Sequence, residues 1–341
     1  MTPRENERDG NEQMQVIATS SGSYPRIGRT PELQLLRQAI AQRDTGKKSD
    51  ADVEAAEEAL TRAAIEEQVA SGLDLVTDGQ IRWYDPISHL AGKLENVSVN
   101  GLLRFFDTNF YLRQPMVEGP IRWVSPVLRP EYEIAASLSS KPVKQVLTGA
   151  YTLARHSIVE YPPYRRDFEQ LVLDYNEAVV QEVKQLAAAG APVIQIDEPS
   201  ILKEPTHPDW DLFEETWNRL APAKGKARLV LAVYFGDPAP LLHHLLSMPA
   251  DVVALDFTYN PRLVDEIAEA RPTKPLGLGL LDGRNTKLED ADAVVRALDR
   301  LLPQMRSTEC YLHPSSGLEY LPRDRALAKL KRLVEIRNRI N

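Results

Sequence analysis

Asp197 and Glu198 stand together at the end of an apolar run, Val193-Ile194-Gln195-Ile196, and Pro199 follows them. The run has the character of a buried strand, and a long helical pattern ending in Ala188-Ala189-Gly190 precedes it. Helix, short turn, buried strand and polar loop form the repeat of a parallel α/β sheet, and ligands bind beyond the carboxyl ends of such strands. Carboxylates placed there can hold an ammonium group. An isolated Asp-Glu pair is equally an ordinary solvated acidic turn, so the rest of the chain has to decide.

Seven more strand-like runs alternate with helical periodicity, near residues 17, 74, 145, 230, 253, 278 and 311. With the run near 194 they make eight, which predicts an α/β fold, a (β/α)8 TIM barrel. Helical patterns cover residues 31–42, 52–71, 168–189, 240–246, 261–270, 288–302 and 323–339. Residues 81–140 break the alternation, and aromatic and β-branched residues mixed with Gly, Asn and Pro predict a β-hairpin excursion after the second strand. Residues 1–14 read as a disordered polar tail, leaving 15–341 as a single barrel with that insertion. Gly277-Leu278-Gly279 lies within a strand, and its spacing to Gly283 is wrong for a dinucleotide loop.

In a barrel all strand ends converge on one face. That face would gather Ser21, Ser23 and Arg26; Asp78 and Gln80; Thr148; Asp197 and Glu198; Tyr234 and Asp237; Asp256; Asp282, Arg284 and Asn285; and His313, Ser315 and Ser316. Carboxylates suit an ammonium group, and the amides and hydroxyls of Ser21-Gly22-Ser23 with Arg26 suit a carboxylate. Together these are the demands of an amino-acid substrate. Arg26 and Arg284 serve equally well as bridging ion pairs across the mouth.

Other chemistries find less support. Cys310 and His313 are three apart on one strand, so alternation turns them to opposite faces. His243 and His244 are adjacent on a helix and cannot share a face, while His156 and His207 fall in loops. A single cysteine excludes an intramolecular disulfide framework and any zinc site built on two thiolates of one chain, and it fits a reducing cytoplasm. A net charge of −8 without a basic block argues against nucleic acid. No apolar run reaches the ~18–20 residues of a membrane helix.

Taken in order, several motifs resemble the cobalamin-independent methionine synthase family over nearly the whole chain after the tail. They are Ser21-Gly22-Ser23-Tyr24-Pro25-Arg26, Leu147-Thr148-Gly149, Gln195-Ile196-Asp197-Glu198-Pro199, Leu281-Asp282-Gly283-Arg284-Asn285 and His313-Pro314-Ser315-Ser316-Gly317-Leu318, with Pro322 and Ala328-Lys329-Leu330 beyond. The resemblance implies a barrel related to the uroporphyrinogen decarboxylase superfamily, of the single-barrel type where long members have two. It implies methyl transfer from a reduced folate, or in some short members a corrinoid, to homocysteine, with a zinc held by His, Cys, Glu and Cys turning the thiol into a thiolate.

Carried over residue by residue, Gly22-Ser23 cradles the substrate and Asp197 holds its ammonium, while an acidic position after the second strand falls on the neutral Gln80. The zinc positions fall on Ala232-Val233-Tyr234 for His-x-Cys, on Asp256 for Glu and on Ser316 for the last Cys, so at most one of four ligands is kept. The Trp that would carry the folate ring falls on His156. Phe106-Asp107-Thr108-Asn109, Tyr234-Phe235-Gly236 and Asp282-Gly283-Arg284-Asn285 are instead similar to the metal-free amino-terminal barrel of long members.

The resemblance therefore implies a methyltransferase acting on homocysteine or a related thiol or amino-acid acceptor. Its expected catalytic residues are Asp197, Tyr234, Asp256 and His313, and its substrate-binding residues Ser21, Ser23, Arg26, Gln80, Asp197, Arg284, Asn285 and Ser316. No metal ligands are assigned; zinc stays open only as a remodelled site around Asp256 and His313. Two alternatives stand beside it. One is a metal-free lyase or decarboxylase in which Tyr234, Asp256, His313 and Ser316 supply acid and base to a small acid. The other is a non-catalytic barrel that pairs with a separate catalytic subunit. The expected partners are a small-molecule substrate and either a second copy or a second barrel subunit.

Overall fold

The computed structural model describes residues 14–106, 108, 110–203 and 209–340. Of the expected tail, residues 1–13 lie outside the described residues, as do Asp107, Asn109 and His207; Met14 is buried at the edge of the core.

The chain opens with strand β1 (Gln15–Ala18), then helices α1 (Leu35–Asp44) and α2 (Asp50–Ala70). Ser49 and Asp52 cap α2 reciprocally, side chain to backbone, which satisfies two of its free N–H groups. A short helix α3 (Ser88–Ala91) leads to β2 (Glu95–Arg104) and β3 (Tyr111–Arg122), which pair antiparallel. Helix α4 (Leu128–Leu138), strand β4 (Lys144–Thr148) and helix α5 (Ala150–Arg155) follow. Strand β5 (Ile158–Val159) adds to β3, and helix α6 (Pro162–Arg166) precedes the long α7 (Phe168–Ala188). Then strands and helices alternate: β6 (Val193–Asp197), α8 (Trp210–Leu220), β7 (Arg228–Val233), α9 (Leu242–Ser247), β8 (Val252–Asp256), α10 (Leu263–Ala270), β9 (Leu276–Leu281), α11 (Ala291–Leu301), β10 (Glu309–Pro314) and α12 (Arg323–Ile340).

Among the described residues the main sheet has seven parallel strands in the order β1-β10-β9-β8-β7-β6-β4. The run near residue 74, expected as a strand, makes only two parallel bridges: Leu75 to Thr19 beyond β1, and Val76 to Val143 before β4. Those partners flank the two edge strands. The sheet is curled, because inward side chains from distant strands meet: Ile17, Leu75, Val193, Val230, Ala232, Val252, Ala254 and Tyr311 form one apolar plug. The strand pleat explains the division. On β6, Val193, Gln195 and Asp197 share the inner face, while Ile194 and Ile196 pack outward in the larger core beneath the helices. On β10 the same alternation turns Cys310 outward, as expected.

Several elements depart from the sequence pattern. Leu128–Leu138 is helical within the stretch that reads as irregular, and it buries Leu128, Tyr132 and Ala135. Helix α8, unmarked in the sequence reading, is amphipathic and buries Phe213 and Trp217. The helix expected at 31–42 runs instead over Leu35–Asp44, after a 3-10 turn at Glu32–Gln34.

One buried ion pair couples the last helix to a loop at the strand ends. Lys329, fully buried on α12, donates to Glu289 Oε1 at 2.6 Å, and the same oxygen accepts the Asp282 amide at 2.9 Å. Lys329→Met would leave Glu289 without its cation. We expect a stability loss of about 3–5 kcal/mol in urea titration, with loosening of the 282–285 loop seen as faster amide exchange.

Candidate active site

Every strand of the main sheet delivers its carboxyl end to one edge, and Asp197 is the polar tip of the inner face of β6. Its Oδ1 accepts from Gln195 Nε2 at 2.7 Å and its Oδ2 from the Tyr234 hydroxyl at 3.1 Å. Burial outweighs these bonds and pushes the carboxyl up to about 7. Glu198, one residue on, turns the other way. It accepts from the Tyr151 amide at 3.1 Å, the Thr152 amide at 2.8 Å and the Thr152 hydroxyl at 2.6 Å, so it fastens the first turn of α5. Gly149 is required beneath it, since a Cβ there would lie 2.1 Å from Glu198 Oε1.

Asp197 faces a small enclosed space with Ser21, Ser23, Gln80, Tyr234, Gly317 and Glu319 around it and Phe105 and Tyr320 over it. The free volume is about 10 Å³, room for about one water molecule. Gly22, at φ 147°, turns the chain so that Ser21 and Ser23 flank the space, and its carbonyl accepts from the Thr77 hydroxyl at 2.7 Å. Ser23 and Tyr320 hydrogen-bond to the Glu319 carboxyl, which burial raises above its ordinary value. Gln80 is placed by its own positive φ of 51° and by Asp78, whose Oδ1 accepts its amide at 2.9 Å. The roof is aromatic: Phe105, Phe106, Phe235 and His156 meet ring to ring. Phe106 and Phe235 both hold positive φ, at 50° and 65°, a strained backbone of the kind that clusters at functional sites.

Other expected site residues sit around this space rather than in it. Arg26 is tied to the carbonyls of Trp83 and Tyr84. With Glu319 it borders a second cavity of about 630 Å³, which continues along Pro25–Thr30 and Leu321–Asp324. Arg284 bonds the Tyr259 hydroxyl and lies over the Phe235 and Tyr259 rings. Asn285 is exposed, and its Oδ1 accepts the Lys287 amide. Ser316 is buried against Gly283, where a Cβ would meet its Oγ at 2.7 Å. His313 is buried with Nδ1 beside the Ser21 hydroxyl at 3.3 Å and the Pro314 carbonyl at 2.7 Å; burial lowers it to about 4, so it is neutral.

The residues at the expected zinc positions do not fit zinc. Ala232 belongs to the apolar plug, and Tyr234 gives its hydroxyl to Asp197. Asp256 is fully buried with both oxygens engaged, Oδ2 by the Phe235 amide at 3.2 Å and Oδ1 by Thr258 at 2.8 and 2.6 Å. Among the described residues no group of three His, Cys, Asp or Glu is placed to hold a metal ion.

A family model described as "Cobalamin-independent synthase, Catalytic domain" matches residues 16–339. The chain belongs to this family. Two relatives named methionine synthase cover it at similar length. The protein of Saccharolobus solfataricus is 30% identical over 91% of this chain and 92% of its own, and that of Sulfolobus acidocaldarius 29% over 91% and 89%. A B12-independent methionine synthase from Shewanella sp. W3-18-1, solved with selenomethionine, has the same fold: TM-score 0.76 at 18% identity, covering 95% of this chain and 97% of that one.

Several lining residues escape the sequence reading. Glu319, Phe105 and Tyr320 come from loops that carry no periodicity. Behind the lining, Gln195 does leave a trace, as a polar residue on the inner side of the otherwise apolar run 193–196. Gly317 is the tightest contact of the cradle, with a Cβ there falling 1.9 Å from Ser23 Oγ. Gly317→Ala is therefore expected to displace Ser23 and weaken ligand binding on the order of 10–100-fold while the fold persists. Calorimetric titration beside a melting curve checks it.

Proposed function

We propose that this chain is a methyltransferase that moves a methyl group onto homocysteine or a closely related thiol-bearing amino acid. Asp197 carries the reading: a buried carboxylate at the strand ends, set opposite the Ser21-Gly22-Ser23 turn, in a space of amino-acid polarity. In this assignment Asp197 takes the substrate ammonium, Ser21 and Ser23 with the turn amides take its carboxylate, and Tyr234 orients Asp197. Gln80 completes the wall. Asp256 acts through the Phe235 amide, which holds the turn presenting Tyr234, and His313 acts through Ser21. Arg284 props the aromatic roof, Arg26 holds the excursion to the β1 loop, and Ser316 with Asn285 shapes the loops behind. The selenomethionine of the Shewanella protein, a methylated selenium amino acid, supports a ligand of this class.

The fold reading behind this assignment is a complete (β/α)8 barrel. Residues 73–77 are its eighth stave, supported by their parallel bridges to both edges of the sheet. The β2–β3 pair is the hairpin excursion, which brings Phe105 and Phe106 over the site. The methyl donor is a reduced folate or a corrinoid, bound above the aromatic roof.

A second reading has its own support. Because the residues at the zinc positions are engaged elsewhere, thiol activation by zinc lacks its ligands, and a metal-free reaction on a small acid in the same space fits the geometry. The two readings separate by substrate. The first expects L-homocysteine or L-methionine to raise the melting temperature, and a methyl donor to be demethylated only when homocysteine is present. Asp197→Asn should abolish that shift. In the parent protein, binding should strengthen as pH rises through about 7, as the Asp197 carboxyl, raised there by burial, becomes anionic. No shift with any sulfur amino acid, at any pH in this range, would sink the assignment.

A further inference from the structure

Lys144 begins β4 and is buried, with its side chain on the inner face of the sheet. Its ammonium donates to the Gln195 Oε1 at 2.6 Å and to the Ser20 carbonyl at 2.7 Å. No carboxylate lies within ion-pair distance of it among the described residues. A buried ammonium held only by neutral acceptors is costly, and such groups concentrate at functional sites. Lys144 does not line the enclosed space, so it is not placed as a nucleophile.

What it touches gives it a different task. Because Oε1 of Gln195 takes the ammonium, the amide nitrogen of Gln195 must face the other way. There its two N–H groups meet Asp197 Oδ1 at 2.7 Å and the Ser21 carbonyl at 2.8 Å. Lys144 thus grips the β1 turn directly at Ser20, and it sets the one amide that joins that turn to Asp197. We propose that Lys144 is a positioning residue of the amino-acid site, locking Gln195 so that Asp197 and the Ser20–Ser23 turn hold the two charged ends of an α-amino acid. The inference deepens the assignment of Asp197 made above and rests on it.

A core lysine could be only structural; the charge relation separates the two roles. Burial draws Lys144 down to about 7, and its positive charge opposes the rise of Asp197. The other groups facing the pair are Tyr234 on the loop after β7, Glu198 after β6, His313 on β10 and Tyr320 beyond it; His313 is held neutral partly by Lys144 itself. Without the ammonium, Oε1 of Gln195 also loses its partner, so the amide that donates to Asp197 Oδ1 is held less firmly. Both effects move Asp197 toward its protonated form.

The test uses the full chain with Lys144→Met and Lys144→Arg, and L-methionine as the probe, titrated calorimetrically from about pH 6 to about pH 9. Lys144→Met should weaken binding at neutral pH by about tenfold or more and shift the pH midpoint of binding upward by about one pH unit. Lys144→Arg, which keeps the charge, should restore the midpoint. A Lys144→Met protein with a lowered melting temperature but an unmoved midpoint would overturn the proposal. Should Lys144→Met not fold, Gln195→Leu cuts the same relay one link on and carries the same expectation. If the parent protein binds neither L-methionine nor L-homocysteine, the substrate assignment fails by itself. The relay is then decided by the ¹³C titration of the Asp197 carboxyl, identified with Asp197→Asn: a higher midpoint in Lys144→Met supports it, and an unchanged one refutes it.

Discussion

Charge buried inside a parallel sheet sets the terms for everything at its carboxyl edge. Water is excluded there, so each ionisable group must find protein partners or become neutral. Lys144, Gln195, Asp197 and Tyr234 meet that demand as one chain of hydrogen bonds across β4, β6 and the end of β7. The groups have few other partners within reach, which fixes the amide of Gln195 and the plane of Asp197 together. The apolar plug one layer below serves the same end, because it keeps water out from beneath.

Asp197 and Glu198 show how one residue of pleat separates two roles. Both are buried, and both are raised toward neutral pH by burial. Asp197 is left with a free flank toward an enclosed space. Glu198 spends its oxygens on the amides and hydroxyl at the start of α5, and Gly149 makes room for it. The same close packing recurs where Gly317 meets Ser23 and where Gly277 and Gly279 meet the His313 ring. These glycines let neighbouring strands and the loops after them pack closely, and the site is built in the clearance they leave.

Much of this was legible in the chain. Strand ends are legible because apolar runs give way to polar loops there, so the sequence places Ser21, Ser23, Gln80, Asp197 and Tyr234 at one edge, and the structure brings them together around one space. Arg26 and Asn285 were misplaced for a physical reason: a strand end specifies a loop but not its path, and both side chains satisfy backbone groups of neighbouring turns instead. Residues 73–77 read as a strand because their pattern is that of one, yet they make only two isolated bridges, with Asp74 and Leu75 donating to the Ala18 carbonyl and Val76 to that of Pro142. Helix α4 was hidden by Pro130 and by the aromatic-rich stretch before it. A lysine at a strand start is ordinarily an exposed end, so nothing in the sequence signals that Lys144 is buried.

The site divides by chemistry along the line between its two ends. The end that the proposed reading gives to an amino acid keeps its expected residues, with Asp197 against the Ser21–Ser23 turn. At the other end the residues have changed their allegiance. Tyr234 stands where a thiolate ligand is expected, and its hydroxyl bonds Asp197, so it now belongs to the amino-acid end. Asp256 stands where a glutamate ligand is expected, and its two oxygens hold the Phe235 and Thr258 amides, so it now belongs to the roof. Each of these two side chains is engaged within the cradle or the roof rather than left open toward a ligand. In the proposed reading, the side chains at these two zinc positions thus serve the Asp197 cradle and the roof above it rather than sulfur activation.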